Sequence, residues 1–477
     1  MLFNSLEFAF FLPIVFVLYW FILNRNLRLQ NFFLLAASYF FYGWWDWRFL
    51  GLIFFSSSID YAVGLLISNT ADSRKRKSYL VATLTVNLVI LGFFKYFNFF
   101  AQSFQALLAV FGIEASFTSL NIILPVGISF YTFQSMGYAI DVYRKDIEAS
   151  KDTISFLAFV SFFPHMVAGP IMRAKKLLPQ FYKSRIFNYE YAVSGLQFLL
   201  LGFFKKVVIA DNAAKLADTV FNNPSGHSGW SAAAGVIFFT VQIYCDFSGY
   251  SDMAVGIARL LGFDLMQNFR TPYFSLSIRA FWQRWHIALS TWFKDYVYIP
   301  LGGNRVGEAK RYVNLFVTFL ISGLWHGANY TFLVWGAMHG IFMIVEDLIS
   351  AHSKLKLPNF FRWLITFCLV SFAWIFFRAK SVNDAAELIG NLFNPGSLVA
   401  FKDLLLAVYA SHQFVLILAA CMILLFIIEL QLSCITPDVW MTKLPKPLRI
   451  SLYYLLLFLI VFMGLSDLSP NFIYFNF

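Results

Sequence analysis

The sequence predicts an all-α polytopic membrane protein. Hydrophobic residues make up 60% of the 477 positions and charged residues only 13%, a balance outside the range of soluble globular domains. Apolar runs of about 17 to 25 residues recur, each long enough to cross a hydrocarbon core of about 30 Å. The runs are continuous rather than alternating, which favours helices over a barrel. We expect roughly ten to twelve transmembrane helices, with re-entrant and interfacial helices, in one membrane domain, residues 1–477.

The apolar runs of the first half lie at about residues 8–23, 32–45, 49–67, 78–100, 120–140 and 154–168. The last of them ends in FFPHMVAGPIMR, where two prolines and a glycine stand close together. Such a cluster breaks a helix, so we expect a broken or re-entrant segment there. Runs of the second half lie at about 191–210, 232–250, 312–326, 332–349, 363–377, 414–432 and 450–465, with a short amphipathic surface helix at 381–393.

The net charge of +11 is distributed in short basic clusters between the apolar runs. No long basic domain offers a face for nucleic acid, so we expect no nucleic-acid partner. Basic loops lie on the cytoplasmic side of a membrane. The loops at 25–28 and 74–77 and the loop KLPKPLR are therefore assigned to the cytoplasm. The tail at 466–477, which contains FIYFNF, is then extracytoplasmic.

Two histidines stand on polar lines through otherwise apolar segments. Polar side chains recur every four residues along the run at 312–326, a spacing that makes one stripe on a helix and ends at a histidine. These residues are Asn314, Thr318, Ser322 and His326. A second polar group is expected to share one helical face in a segment that lies along the interface or lines a cavity. Its members are Arg279, Gln283, His286, Ser290 and Lys294.

An ionisable residue at membrane depth is a functional-site hypothesis, because leaving it unpaired costs roughly 2 to 4 kcal/mol. A histidine that titrates near neutrality can accept a hydroxyl proton while the oxygen attacks an acyl carbon. His326 is the stronger candidate for this role. The alternatives are a histidine satisfied by a neighbouring helix at His326 and an interfacial anchor at His286. His339 and His165 are interpreted as structural.

Other reaction classes lack their motifs. The chain has no GxSxG elbow, no P-loop and no HExxH. Further ligands for a metal beside the two histidines cannot be identified, so no metal site is predicted. A non-catalytic transporter or scaffold stays open at this point, because ionisable residues in spans also mark transport pathways.

Long motifs along nearly the whole chain resemble the membrane-bound O-acyltransferase family, in its bacterial polysaccharide O-acetylation branch typified by alginate O-acetylation. The motifs are SYFFYGWWDWRFL, LPVGISFYTFQSMGYAIDVYR, FFPHMVAGPIMR, QIYCDFSGYSDMAVGIARLLGF, FWQRWHIALSTWFKDYVYIPLGGNR and GLWHGANYTFLVWGAMHG. The resemblance implies that His326 is the catalytic histidine and His286 a second active-site residue. It also implies a multi-pass protein of the bacterial inner membrane whose helices surround a central funnel or tunnel, with the acyl donor entering from the cytoplasm and the acceptor reached from outside.

The same resemblance implies the substrates and partners. The donor is acetyl-CoA from the cytoplasm, used as a substrate and not as a bound cofactor. The final acceptor is an extracytoplasmic polysaccharide, such as an alginate-like exopolysaccharide or peptidoglycan, reached through an SGNH-type acetyltransferase. Related systems present a C-terminal tyrosine that carries the acyl group outward, and Tyr474 in FIYFNF resembles it. D-alanyl transfer from a carrier protein is the alternative within the family.

Overall fold

The computed structural model describes residues 1–114, 119–167, 169–352, 357–433 and 435–464. Regular structure in these ranges is helical and comprises 22 α-helices with short 3₁₀ and π segments between some of them. The all-α prediction is therefore confirmed. The predicted tail at 466–477, with Tyr474, lies outside the described residues.

Helices of membrane-crossing length dominate the fold. Within the described ranges, eight helical stretches are long and apolar enough to cross a membrane. One of them, Leu27–Asn69, holds two successive α-helices of 20 residues each. Shorter apolar helical stretches lie at Leu6–Ile22 and Thr153–Met166. These lengths confirm a polytopic membrane protein.

The chain divides into two compact units, and the first comprises residues 1–195 and 254–266. Its α-helices in chain order are α1 Leu6–Val17, α2 Leu27–Asp46, α3 Leu50–Asn69, α4 Ser73–Leu91, α5 Phe97–Val110, α6 Ile128–Arg144, α7 Thr153–Ser161, α8 Phe163–Met166 and α9 Ala174–Phe181, followed by the start of α10 Tyr189–Phe203. The broken segment predicted from the prolines is confirmed, since α7 ends before Phe162 and α8 begins after it.

The apolar run at 120–140 is helical only in its second part, so the prediction of one helix across it is wrong. Helix α6 begins at Ile128, immediately after Gly127, whose φ of 74° is left-handed. A Cβ atom at Gly127 would lie 2.7 Å from the Met166 carbonyl oxygen, so glycine also permits this close approach of two backbones. The turn chemistry of PVG overrides the apolar pattern at this point.

The second unit comprises residues 196–253 and 267–477. Its α-helices are the end of α10, α11 Asp211–Asn222, α12 Trp230–Leu260 up to residue 253, α13 Ile278–Trp282, α14 Ile287–Phe293, α15 Glu308–His326, α16 Tyr330–His352, α17 Asn359–Arg378, α18 Val382–Leu392, α19 Leu398–Tyr409, α20 His412–Gln431, α21 Pro437–Lys443 and α22 Lys446–Gly464. The short helix predicted at 381–393 is confirmed as α18.

Helices α15 and α16 pack closely through glycines. A Cβ atom at Gly323 would overlap the Phe332 carbonyl oxygen, and one at Gly336 would overlap the Phe319 carbonyl oxygen. A Cβ atom at Gly336 would also lie 3.2 Å from the Cα of Gly323. Small residues at such crossings let two backbones approach in a membrane. This contact places the end of α15 beside the first turns of α16.

Candidate active site

The polar stripe predicted on α15 is present. Asn314, Thr318, Ser322 and His326 lie in one continuous helix and all four are buried. The Thr318 hydroxyl donates to the Asn314 carbonyl oxygen at 2.6 Å, and the Asn314 amide donates to the Leu301 carbonyl oxygen at 3.0 Å. His326 is the last residue of the helix and is 2% exposed. Each polar group of the stripe is thus held inside the protein.

The second polar group does not lie on one helix, so the prediction of a single helical face around His286 is wrong. Helix α13 ends at Trp282 and α14 begins at Ile287, with His286 between them at φ 41° and ψ 54°. A left-handed conformation at a non-glycine residue costs about 1–3 kcal/mol and persists only where the surroundings impose it. The backbone therefore turns sharply at the second histidine.

Members of both polar groups nevertheless line one cavity of about 410 Å³, although its described lining residues include neither His286 nor His326. Thr318 and Ser322 contribute from the α15 stripe. The α13–α14 segment contributes four of its five polar residues, Arg279, Gln283, Ser290 and Lys294. Ile287, which follows His286, also lines the cavity. The prediction that this segment lines a cavity is confirmed.

The cavity has an exposed end and a buried end. The Arg279 and Arg311 side chains are 50% and 28% exposed, whereas Thr318 and Ser322 are 8% and 5% exposed. Arg311 and Ser322 lie on the same helix, and eleven residues of helix extend about 16 Å. The cavity therefore extends along α15 from its exposed start toward the turn that carries His326.

Positive charge is concentrated among the lining residues. Arg279, Lys294 and Arg311 face this cavity, and Asp347 is the carboxylate among its described lining residues. Arg279 forms an ion pair with Asp347, and Arg311 lies 3.7 Å from the same carboxylate. Burial raises the pKa of the Tyr298 hydroxyl, against the opposing effect of the two arginines. An anionic ligand with hydrogen-bonding oxygens fits this end of the cavity.

The two histidines meet at the indole of Trp325. The Trp325 ring centroid lies 6.2 Å from that of His286 and 5.0 Å from that of His326. His326 also contacts Trp335 at 5.0 Å and Phe377 at 5.2 Å between ring centroids. The structure therefore gathers both predicted histidines into one aromatic cluster.

His339 and His165, interpreted above as structural, are both buried. The Trp282 indole nitrogen donates to Nδ1 of His339 at 3.3 Å, and His339 packs against Trp335 with ring centroids 4.9 Å apart. His165 is buried in α8 of the first unit. His339 thus supports two tryptophans, one of which lines the cavity and one of which contacts His326.

Asn268 is a residue of the site that sequence reasoning missed. Its carbonyl oxygen accepts from the Ile287 backbone N–H at 2.9 Å, and its side-chain oxygen accepts from the Ala288 N–H at 3.2 Å. These N–H groups belong to the first two residues of α14. The sequence shows only an asparagine in the loop QNFRTP. Nothing in that loop indicates that this asparagine caps the start of α14.

Comparison with known proteins assigns the chain to a class of membrane enzymes. Residues 148–383 match the model of the membrane-bound O-acyltransferase family. The probable alginate O-acetylase AlgI of Pseudomonas putida is 44% identical over 400 residues, which cover 83% of this chain and 81% of the relative. The peptidoglycan O-acetyltransferase of Helicobacter pylori is 39% identical over 423 residues, covering 82% and 79%. The teichoic acid D-alanyltransferase of Bacillus subtilis is 27% identical over 281 residues, covering 54% and 70%.

The chain therefore belongs to the membrane-bound O-acyltransferase family. It is a multi-pass membrane O-acyltransferase, and the family resemblance seen in the sequence motifs is confirmed. An enzyme is thereby favoured over the non-catalytic transporter or scaffold.

Proposed function

We propose that this protein transfers an acetyl group from cytoplasmic acetyl-CoA across the membrane, for the O-acetylation of an extracytoplasmic polysaccharide. The observation that carries the proposal is the single cavity that joins a cationic, exposed end to the α15 turn before His326. The names of the alginate and peptidoglycan relatives support acetyl as the group and a polysaccharide as the final acceptor. The bacterial inner membrane is the proposed location.

His326 is the proposed general base, and His286 assists it. An imidazole nitrogen of His326 takes the proton from the acceptor hydroxyl as the oxygen attacks the acetyl carbonyl carbon. The C–S bond then breaks, and the thiolate of CoA receives that proton from the imidazolium. The proton is conserved within the step, so no further acid or base is needed. The aromatic rings around His326 exclude water, which would otherwise hydrolyse the thioester.

The cationic end of the cavity is the proposed place for the phosphates of acetyl-CoA. Guanidinium groups form charge-assisted hydrogen bonds with phosphate oxygens, often in pairs. Arg279 and Arg311 lie together there because both approach Asp347. From that end the pantetheine arm extends along α15, past Thr318 and Ser322, toward His326. The basic loop before α15 supports a cytoplasmic position for this end by the positive-inside rule.

Replacing Arg311 with alanine is expected to raise the KM for acetyl-CoA about tenfold, the effect of losing about 1.4 kcal/mol of binding, while kcat stays nearly unchanged. Steady-state kinetics of the purified protein measure both constants. Arg449→Ala is the matched control, because it removes an arginine at the start of α22 that does not line the cavity. Equal KM values for the two variants would show that the phosphates of acetyl-CoA do not bind at this end of the cavity.

The first acceptor of the acetyl group is proposed to be the Tyr474 hydroxyl. The tail is assigned to the outer side by the positive-inside rule, where an acyl-tyrosine could pass the acetyl group to a further enzyme. An extracytoplasmic SGNH-type acetyltransferase is the proposed partner that completes the transfer to the glycan.

Tyr474→Phe is expected to abolish covalent labelling of the protein by radiolabelled acetyl-CoA, since phenylalanine has no hydroxyl to acylate. Mass spectrometry of the C-terminal peptide of the wild type should locate the acetyl group on Tyr474. Tyr454→Phe is the control, because Tyr454 is an exposed tyrosine of α22. Unchanged labelling and glycan acetylation in Tyr474→Phe would eliminate the tyrosine step and leave the His326 chemistry to be tested separately.

D-alanyl transfer from a carrier-protein thioester is the second candidate, favoured by the match to the teichoic acid D-alanyltransferase. That match has 27% identity and covers 54% of this chain, against 44% and 83% for the alginate relative. Offering the purified protein acetyl-CoA and a D-alanylated carrier protein in parallel distinguishes the two donors. We expect turnover with acetyl-CoA.

A further inference from the structure

The left-handed turn at His286 is held from outside its own helix. His286 occupies the N-cap position of α14, yet its side chain makes no capping hydrogen bond. Asn268 provides the cap instead, with its backbone oxygen bonded to the Ile287 N–H and its side-chain oxygen bonded to the Ala288 N–H. A capping side chain normally belongs to the N-cap residue itself. Here, separating the cap from His286 lets the imidazole take part in the active-site cluster.

The residue that provides this cap is itself anchored in the second unit. The Asn268 amide donates to the Ser251 hydroxyl of α12 at 3.0 Å, and Asn268 and Ser251 are 1% and 2% exposed. The Ala288 N–H assigns the amide orientation, because a backbone N–H can only donate and so requires the Asn268 side-chain oxygen, which leaves the amide nitrogen to donate to Ser251. Helix α12 therefore fixes, through Asn268, the residue at which α14 begins.

Two further contacts enclose the His286 turn. The Arg270 backbone N–H donates to the Arg284 carbonyl oxygen at 3.0 Å, so the loop is bonded to the chain on both sides of His286. Between these bonds, the Phe269 ring packs against Trp285 at 5.0 Å and against His286 at 6.5 Å. From α12, Phe247 meets the His286 ring edge-on at 4.7 Å. The imidazole is thus confined while its backbone is fixed.

We infer that Asn268 is a positioning residue for acyl transfer, which acts by fixing the backbone of His286 through the Asn268–Ser251 pair. Its amide does not contact the reacting atoms. It holds the left-handed turn so that the His286 ring stays against the indole of Trp325, across which His326 lies. The inference rests on the role of His286 in the proposed function.

A double-mutant cycle on the purified full-length protein tests the inference, with kcat and KM measured for acetyl-CoA. Asn268→Ala is expected to lower kcat about 30-fold and to leave KM within about twofold, since a misplacement of about 1 Å in a catalytic group costs up to about 100-fold. His286→Ala is expected to lower kcat about 100-fold. In the His286→Ala protein, adding Asn268→Ala is expected to change kcat by less than about twofold, because residues that act as a unit are not additive.

Each outcome of the cycle has one meaning. A further 30-fold loss in the His286→Ala background would show that Asn268 acts on the fold in general, and so overturns the inference. Unchanged kcat in Asn268→Ala, or a rise in KM alone, overturns it too. If His286→Ala keeps the wild-type kcat, the role of His286 in the proposed function fails first, and the inference with it.

Ser251→Ala keeps the test decisive if Asn268→Ala does not fold. This variant retains both caps on α14 and removes only the anchor of the Asn268 amide. A fall in kcat of about threefold is expected, and it should vanish in the His286→Ala background. Persistence of the full fall in that background contradicts the inference.

Discussion

Replacing His326 with alanine is expected to abolish glycan O-acetylation in cells that contain the variant at the wild-type level. General base catalysis contributes about 10²- to 10⁴-fold to such reactions, and the imidazole is the proposed acceptor of the hydroxyl proton. The loss should appear in kcat, because the cationic end of the cavity that binds the donor is untouched. Acetyl released from the isolated glycan by mild base measures the result.

His352→Ala provides the control for the His326 variant. His352 is an exposed histidine at the end of α16, so its replacement removes an imidazole without disturbing the active-site cluster. We expect wild-type acetylation from this variant. Full acetylation by His326→Ala at equal expression would show that the proton is taken by another group.

Replacing Gly336 with alanine is expected to destabilise the protein by about 1–3 kcal/mol, as overpacking of a close contact does. The added methyl group meets the Phe319 backbone oxygen and the Gly323 Cα atom, and backbone atoms cannot rotate away as a side chain can. Separation of α15 from α16 should also move Trp335 away from His326 and lower kcat on the order of 100-fold. Thermal unfolding in detergent and steady-state kinetics measure the two effects.

Gly390→Ala is the matched control for this helix crossing. Gly390 is also inside a helix, but a Cβ atom there meets nothing within 4 Å. Alanine is the better helix former, by about 1 kcal/mol, so this variant should be at least as stable as the wild type. Equal stability and activity of the two variants would contradict the close packing of α15 on α16.

The part of the site on α15 was predictable because it is local. Four polar residues at a spacing of four can form a stripe only on one continuous helix, and the structure places them on α15. The broken segment around Phe162 was predictable for a similar reason, since a proline disfavours helical backbone in the residue before it and is tolerated in the first turn of a helix, and Pro164 lies in the first turn of α8. In both cases neighbours in the sequence determine the structure.

The part of the site around His286 depends on residues that are distant in the sequence. The turn there is stabilised by Asn268, by its anchor Ser251 and by the Phe247 ring, all of which precede it by 18 residues or more. Helical periodicity treats residues 279–294 as one segment and therefore predicted a continuous face. The shared cavity was nevertheless suggested by the polar residues themselves, because they must avoid lipid in either arrangement.

Release of CoA by the purified protein tests the central proposal most directly. Wild-type and His326→Ala proteins, reconstituted in liposomes, are given acetyl-CoA labelled in the acetyl group, and free CoA, transferred label and bound donor are all measured. We predict that the wild type releases CoA in step with acetyl transfer, and that His326→Ala binds the donor with unchanged affinity but releases no CoA. Equal CoA release by the two proteins would contradict the proposal that His326 carries out the transfer.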